Sequence, residues 1–162
     1  MRTILFLTLG STLLFQAGCG GGDKGRPADL PKLFSVNITI TQEGKPLEGA
    51  IVTLSAKSPS TYGTSMGTTN ASGVATMRTY GYDGTPAGEY AVLVDKKGVE
   101  NQKESKDEYG GTVLTGGQSY RYTNAQYADK DKTPHSLTVT EKGASGSFEV
   151  GAPVRVLIGN ID

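Results

Sequence analysis

Apolar and polar residues alternate with period two near the start of the chain's main body. Phe34, Val36, Ile38 and Ile40 fall on one side, and Ser35, Asn37, Thr39 and Thr41 on the other. That spacing predicts a strand with one buried and one wet face. Residues 42–46 (Gln-Glu-Gly-Lys-Pro) turn the chain, and Val52 and Leu54 continue a second strand over 50–56. After a polar stretch, Thr69-Asn70-Ala71-Ser72-Gly73 carries tight-hairpin chemistry, and residues 74–79 return as a strand. Pro86-Ala87-Gly88 precedes another, in which Tyr90, Val92 and Val94 share a face. A short strand over 119–123, with Tyr120 and Tyr122 alternating with polar neighbours, and three closing strands over 136–141, 147–150 and 153–158 complete the set. Beyond the first eighteen residues no segment has a 3.6-residue apolar period. The expectation is therefore all-β, with seven or eight short strands in a two-sheet sandwich, because one-sided strands must bury their apolar faces against a second sheet.

Two segments break this pattern. Residues 97–132 are dense in charge and glycine, with Lys103, Glu104, Lys106, Asp107 and Glu108 nearly consecutive. They read as a long polar excursion, and loops of such length are uncommon unless they carry function or are disordered. Residues 1–18 read as an export signal: Arg2 gives a positive start, residues 4–15 an apolar run, and Ala17 and Gly18 the small pair before a cleavage point. About a dozen apolar residues fall short of the ~20 that cross a bilayer. Residues 19–32 read as a tether, with a glycine run, Pro27 and Pro31. The roughly thirteen residues after Cys19 would span roughly 40 Å extended and nearer 20 Å as a coil. The glycine run is not a phosphate loop, since no strand precedes it and no Lys-Ser/Thr pair opens a helix after it. Residues 33–162 are then the folded domain.

Composition narrows the function classes. The chain has 162 residues, and without the signal about 140 remain, enough for one domain with a real core. Arg2 is the only charge among the first eighteen residues, so fifteen basic residues face sixteen acidic ones in the remainder. Near neutrality and the lack of a basic stripe argue against nucleic acid. Cys19 is the only cysteine, so the body has no disulfide framework.

Gln16-Ala17-Gly18-Cys19 resembles a bacterial lipobox, although Gln16 stands where that pattern prefers leucine. The resemblance implies that Cys19 becomes the acylated first residue of an exported protein, carrying chains such as palmitate, anchored to the bacterial cell membrane or outer membrane. The alternative is an ordinary secretory signal with an incidental cysteine. A lone thiol in an exported protein lacks a disulfide partner, and lipidation removes that liability.

Further along, Gly44-Lys45-Pro46-Leu47-Glu48-Gly49-Ala50 followed by Val52-Thr53-Leu54, then Thr68-Thr69-Asn70-Ala71-Ser72-Gly73-Val74-Ala75, then Pro86-Ala87-Gly88-Glu89-Tyr90-Ala91-Val92, resemble in order the motifs of carboxypeptidase-regulatory-like domains, which overlap the transthyretin-like and Cna-B-type sandwiches. The likeness covers residues 33–94. More loosely, the run from Tyr127 through Thr133-Pro134 to Val150 is similar to small bacterial lipoproteins carrying this domain. The resemblance implies a seven- to eight-stranded antiparallel β-sandwich of prealbumin or immunoglobulin-like type. It is nearly silent on activity.

The residues for catalysis are sparse. A zinc peptidase needs several His and Glu ligands, and an intradiol dioxygenase two histidines with two tyrosines; His135 is the sole histidine. Ser136 and His135 are adjacent on a strand and would point to opposite faces, which spoils a triad with Asp131. An internal Lys–Asn crosslink of the Cna-B kind needs a lysine on an early strand. Residues 36–41 have none, Lys45 lies in a turn, and Asn160 sits at the far end. Lysines interleave the acids at 129–131 and around 107–108, which suits a solvated loop better than a calcium site. No catalytic residue, metal or cofactor is expected.

Tyr109, Tyr120, Tyr122 and Tyr127 fall in the excursion and are the candidate ligand-binding residues, with Tyr80 and Tyr82 beside the hairpin. Exposed tyrosines stack on sugar rings or grip a protein partner; the ordinary alternative is that they cap the core and hydrogen-bond their hydroxyls. The sequence-based reading is thus a non-catalytic, lipid-anchored envelope β-sandwich serving as a structural or interaction module, with an envelope protein or glycan as partner. The other reading is a carbohydrate- or small-ligand-binding domain that uses residues 97–132.

Overall fold

A computed structural model describes residues 25–161. The expected signal, Cys19 and the first part of the tether lie outside the described residues. Residues up to Leu30 and those from Pro31 onward cluster as separate compact units. Of the first, residues 25–30 are described; the Leu30 N–H donates to the Pro27 carbonyl at 3.1 Å and closes a turn.

The second unit is all-β apart from one short 3-10 turn. Its strands of three or more residues are β1 (Val36–Gln42), β2 (Ile51–Ala56), β3 (Thr64–Thr68), β4 (Val74–Thr76), β5 (Gly88–Asp95), β6 (Lys97–Glu100), β7 (Lys103–Lys106), β8 (Thr112–Thr115), β9 (Gln118–Arg121), β10 (Ser136–Val139), β11 (Ala144–Glu149) and β12 (Val156–Asn160). The expected seven or eight strands are thus exceeded, chiefly because the excursion is itself built of strands β6 to β9.

The main sheet runs β10–β5–β2–β3 and continues through the short pairs Arg78–Thr79 and Tyr82–Asp83. A second sheet centres on β1, with β11 along one edge and β4 and Lys45–Pro46 sharing the other. Val36, Ile38 and Ile40 of β1 are fully buried, as are Val52 and Leu54 of β2 and Val92 and Val94 of β5. All belong to one core cluster with Leu47, Ala50, Ala75, Met77, Tyr90, Val139 and Val150. Two layers closing on one apolar core is consistent with a β-sandwich. Each such aliphatic side chain contributes about 1.5–3 kcal/mol by leaving water, and the period-two pattern of β1 is therefore what fixes its register against the second layer.

The sheets are mostly antiparallel, but β11 runs parallel to β1, with Ala144 opposite Val36 and Glu149 opposite Thr41. A tight turn after β10 explains this departure from a purely antiparallel arrangement. Gly143 has φ 82° and lies against the Ser35 carbonyl, where a Cβ would collide. The next N–H, of Ala144, donates to that same carbonyl at 3.0 Å and starts the parallel ladder.

Two further differences from the sequence expectation have physical causes. Residues 74–79 split at Met77, because the chain changes sheets there. β4 pairs with β1, whereas Arg78 pairs with Met66 of β3. Met77 is held across the change by its N–H to the Val36 carbonyl at 3.0 Å and its carbonyl to the Gly84 N–H at 2.8 Å. Strand β3 lies in the stretch that reads as merely polar. Its one buried side chain is a hydroxyl: Ser65 is fully buried and shares a 2.7 Å hydrogen bond with buried Thr79, which donates to the Gly84 carbonyl at 2.7 Å. The closing strands also shift, the last to β12 in place of 153–158.

Two of the three segments that carry the family resemblance, 44–54 and 68–75, meet at Thr69. This buried hydroxyl donates to the Leu47 carbonyl at 2.6 Å and accepts the Ala50 N–H at 2.8 Å, so the hairpin fastens the preceding turn. Gly73 has φ 74° in the hairpin, and its carbonyl accepts the Ile40 N–H at 2.8 Å.

Candidate functional site

The excursion leaves the main sheet at the end of β5 and folds into two hairpins. β6 pairs with β9, and β9 pairs with β12, giving a three-stranded sheet. β7 and β8 form a separate two-stranded arm, whose residues are all exposed. The small sheet is moored where it begins. Asp95, at the end of β5, receives a two-point contact from Arg121 at 2.9 and 3.3 Å and a 3.0 Å ion pair from Lys97. Thr123 is fully buried and its hydroxyl accepts the Lys96 N–H at 3.0 Å.

Cross-strand partners share a face. Gly98, Tyr120 and Leu157 form one row, and Glu100, Gln118 and Asn160 another on the same face. Tyr122, just beyond β9, joins this group through its hydroxyl, which reaches Glu100. Tyr120 is buried at 7 % exposure, its ring lies 3.8 Å from the Arg155 guanidinium carbon, and its hydroxyl donates to Gln118 Oε1 at 2.9 Å. Tyr122 donates to Glu100 Oε1 at 2.6 Å, and Arg155 grips the same carboxylate at 2.7 and 3.3 Å. Gly98 makes room for the second ring, since a Cβ there would lie 3.0 Å from Tyr122 Cε2. The Arg155 hydrogen bonds and then the Tyr122 hydroxyl pull the Glu100 carboxyl down to about 2, and the carboxylate in turn raises the Tyr122 phenol. A carboxylate so engaged is a structural anion rather than a base.

The structure does not bring all four candidate tyrosines together. Tyr109, 88 % exposed, sits at the tip of the arm, where Asp107 Oδ1 accepts the N–H groups of Tyr109 and Gly111 at 3.0 and 2.6 Å. Tyr127 lies in the 3-10 turn Ala125–Ala128, packs on the core and stacks against His135 with centroids 5.4 Å apart. Tyr80 is exposed and meets Tyr62 edge-on at 5.2 Å. The Tyr120 ring carries Arg155 on it and offers no bare platform to a sugar.

The weighed chemical candidates take ordinary places. His135 Nε2 lies 3.0 Å from the Glu149 carbonyl, so in the neutral ring that nitrogen carries the proton. Asp129 pairs with Lys132 at 2.8 Å and accepts the Asp131 N–H at 3.0 Å. Lys45 pairs with Gln42 and Asn160 with Gln118, in separate sheets. Among the described residues no group of three or more His, Cys, Asp or Glu is arranged to hold a metal ion, and no helix is long and apolar enough to cross a membrane.

No family model, curated protein or solved structure matches the chain.

The surface that sequence reasoning missed is β12. It is an edge strand of the small sheet, and every residue in it is exposed. Val156, Leu157 and Ile158 are 52, 50 and 43 % exposed, with Ile161 just beyond at 42 %. Val99 on β6, and Val113 and Leu114 on the arm, add to the exposed apolar residues of the same region. The three consecutive apolar residues at 156–158 were the available signal, since a one-sided strand would have alternated.

Proposed function

We propose that the chain is a non-catalytic interaction module of the bacterial cell envelope: a carboxypeptidase-regulatory-like β-sandwich, of prealbumin or immunoglobulin-like type, exported and held at a membrane by acyl chains on Cys19. The observation that carries the interaction role is β12, an edge strand with Val156, Leu157 and Ile158 all exposed. Exposed strand edges invite pairing, and soluble proteins ordinarily blunt them with charge, proline or a cover. An extended segment of an envelope protein adds to such an edge through main-chain hydrogen bonds, with pockets for alternate apolar side chains.

The anchor rests on the lipobox resemblance and on the solitary cysteine. Two or more acyl chains on Cys19 give stable attachment, and the segment after it sets the standoff. The rival reading, a glycan- or small-ligand-binding domain using the excursion tyrosines, is the weaker, because the Tyr120 and Tyr122 side chains are engaged by Arg155, Gln118 and Glu100.

A photo-crosslinking side chain placed at Leu157 in living cells tests the role. A discrete adduct with an envelope protein, lacking when the same group replaces Glu141, supports it; equal labelling from both positions, or from neither, refutes it. Cys19→Ser tests the anchor separately, with release into the soluble exported fraction expected and unchanged membrane retention counting against lipidation.

A further inference from the structure

Away from the small sheet, two adjoining hollows of about 260 and 360 Å³ share Lys57 and Lys130 in their linings. They flank the lower end of the ~300–1,000 Å³ range of small-molecule clefts. One wall is the loop after β2, residues 57–63; the other is the segment 130–136 leading into β10. Both walls are pinned. The Ala56 N–H donates to the Gly63 carbonyl at 2.7 Å and the Lys57 N–H to the Glu89 carbonyl at 2.9 Å, and Tyr62 within the loop is buried. Opposite, Thr133 Oγ1 donates to the Val92 carbonyl at 2.8 Å, and the Val92 N–H donates to the His135 carbonyl at 3.0 Å.

The charges are unevenly committed. Lys132 is spent on Asp129 at 2.8 Å. Lys130 Nζ donates to the Ala56 carbonyl at 2.7 Å, which ties the walls together and holds the ammonium between the hollows with further N–H donors to offer. The Lys57 ammonium has no hydrogen-bond partner among the described residues, and it lines both hollows. Ser58, Ser60 and Ser136 add hydroxyls around the lysines. Asp131 lines only the larger hollow. A wholly anionic ligand would meet repulsion there, whereas a neutral polyol would find an acceptor. The lining thus asks for one oxyanion near the two ammonium groups and a hydroxylated body reaching toward Asp131.

We propose that this cleft binds an acidic saccharide unit, a sugar ring bearing one carboxylate or phosphate. Lys57 and Lys130 bind the oxyanion, and Asp131 and the serines bind ring hydroxyls. The site is separate from β12 and does not depend on the interaction role proposed above.

The test is amide chemical-shift titration of the whole chain with glucuronate, glucose 6-phosphate, glucose and inorganic phosphate. The two acidic sugars separate carboxylate from phosphate as the anion, and binding of either one supports the proposal. Shifts should concentrate in residues 57–63 and 130–136, and affinity should fall with added salt. Glucose and inorganic phosphate should each bind about tenfold more weakly or worse. Lys57→Gln should weaken the acidic sugar by about five- to tenfold while leaving the spectrum otherwise folded. Lys130→Arg, which keeps the charge, should retain binding that Lys130→Gln loses. Glucose binding as tightly as the acidic sugars, inorganic phosphate binding as tightly as either, shifts elsewhere, or indifference to Lys57→Gln would each overturn the proposal.

Discussion

Arg155 sits over the ring of Tyr120, its guanidinium carbon 3.8 Å from the ring centroid, and from there reaches Glu100 at 2.7 Å. One side chain thereby joins the residue before β12 to both other strands of the small sheet. Cation–π contact and a two-point carboxylate grip both favour arginine over lysine. Arg155→Lys should therefore loosen the sheet nearly as much as Arg155→Ala, read as faster hydrogen exchange in β9 and β12 with β1 and β5 unchanged. Equal protection in wild type and Arg155→Lys would contradict this.

The same contacts give a pH dependence with a definite sign. Folding lowers the Glu100 carboxyl from its ordinary 4.5 to about 2, first through Arg155 and then through Tyr122. The ionised form is thus favoured in the folded chain, and its contribution is complete above about 4.5 and lost as the pH falls toward 2. Carboxyl NMR titration should place the Glu100 midpoint well below those of exposed glutamates, and Arg155→Ala should move it back up. A Glu100 midpoint in the ordinary range in the wild-type chain would refute the geometry.

Gly73 and Gly44 offer a controlled comparison, because their φ angles are 74° and 73° but their surroundings differ. A Cβ at Gly44 would meet nothing within 4 Å, whereas one at Gly73 would lie 2.5 Å from the Ile40 carbonyl oxygen. Gly44→Ala should cost only the backbone strain, about 1 kcal/mol. Gly73→Ala must in addition push apart β1 and the hairpin, and should cost roughly 1–3 kcal/mol more. Urea melts of the two variants measure the difference, and equal losses would contradict the close approach.

What the chain reveals beforehand follows from which interactions are local. β1 was legible because its buried residues are apolar at every second position. β3 was not, because Ser65 faces inward and is satisfied by Thr79, a partner fourteen residues away. The parallel course of β11 depends on Gly143 meeting Ser35, which no spacing rule encodes. Tyr120 and Tyr122 could be placed on one face of a strand from their alternation. That Glu100 and Arg155 would occupy that face could not, since they lie 55 residues apart and meet only through tertiary pairing.

Thr69 is the buried polar link within the early turn, at 3 % exposure, donating to Leu47 and accepting from Ala50. Thr69→Val keeps the shape but strands both the Ala50 N–H and the Leu47 carbonyl. Leaving buried polar groups without that partner costs about 1–3 kcal/mol, whereas Thr69→Ser keeps the hydroxyl and should cost less. The ranking wild type, Ser, Val in chemical denaturation checks the assignment, and a Val variant as stable as wild type would remove Thr69 from the fold's supports.

The β7–β8 arm makes the opposite case. Its residues are exposed on both strands, and a lone two-stranded ribbon is marginal in water. Local opening should therefore cost little there, while the buried strands β1 and β5 open only with the whole domain. Within residues 33–162, limited trypsin digestion should cut first after Lys103 or Lys106, leaving the remaining strands associated, and arm amides should exchange fastest. Because the arm contributes none of the buried core residues, replacing residues 102–116 with a short turn should shift the melting temperature by only a few degrees. Loss of cooperative unfolding in that deletion would mean that the arm supports the core, and it would exclude the arm from being a separable binding element.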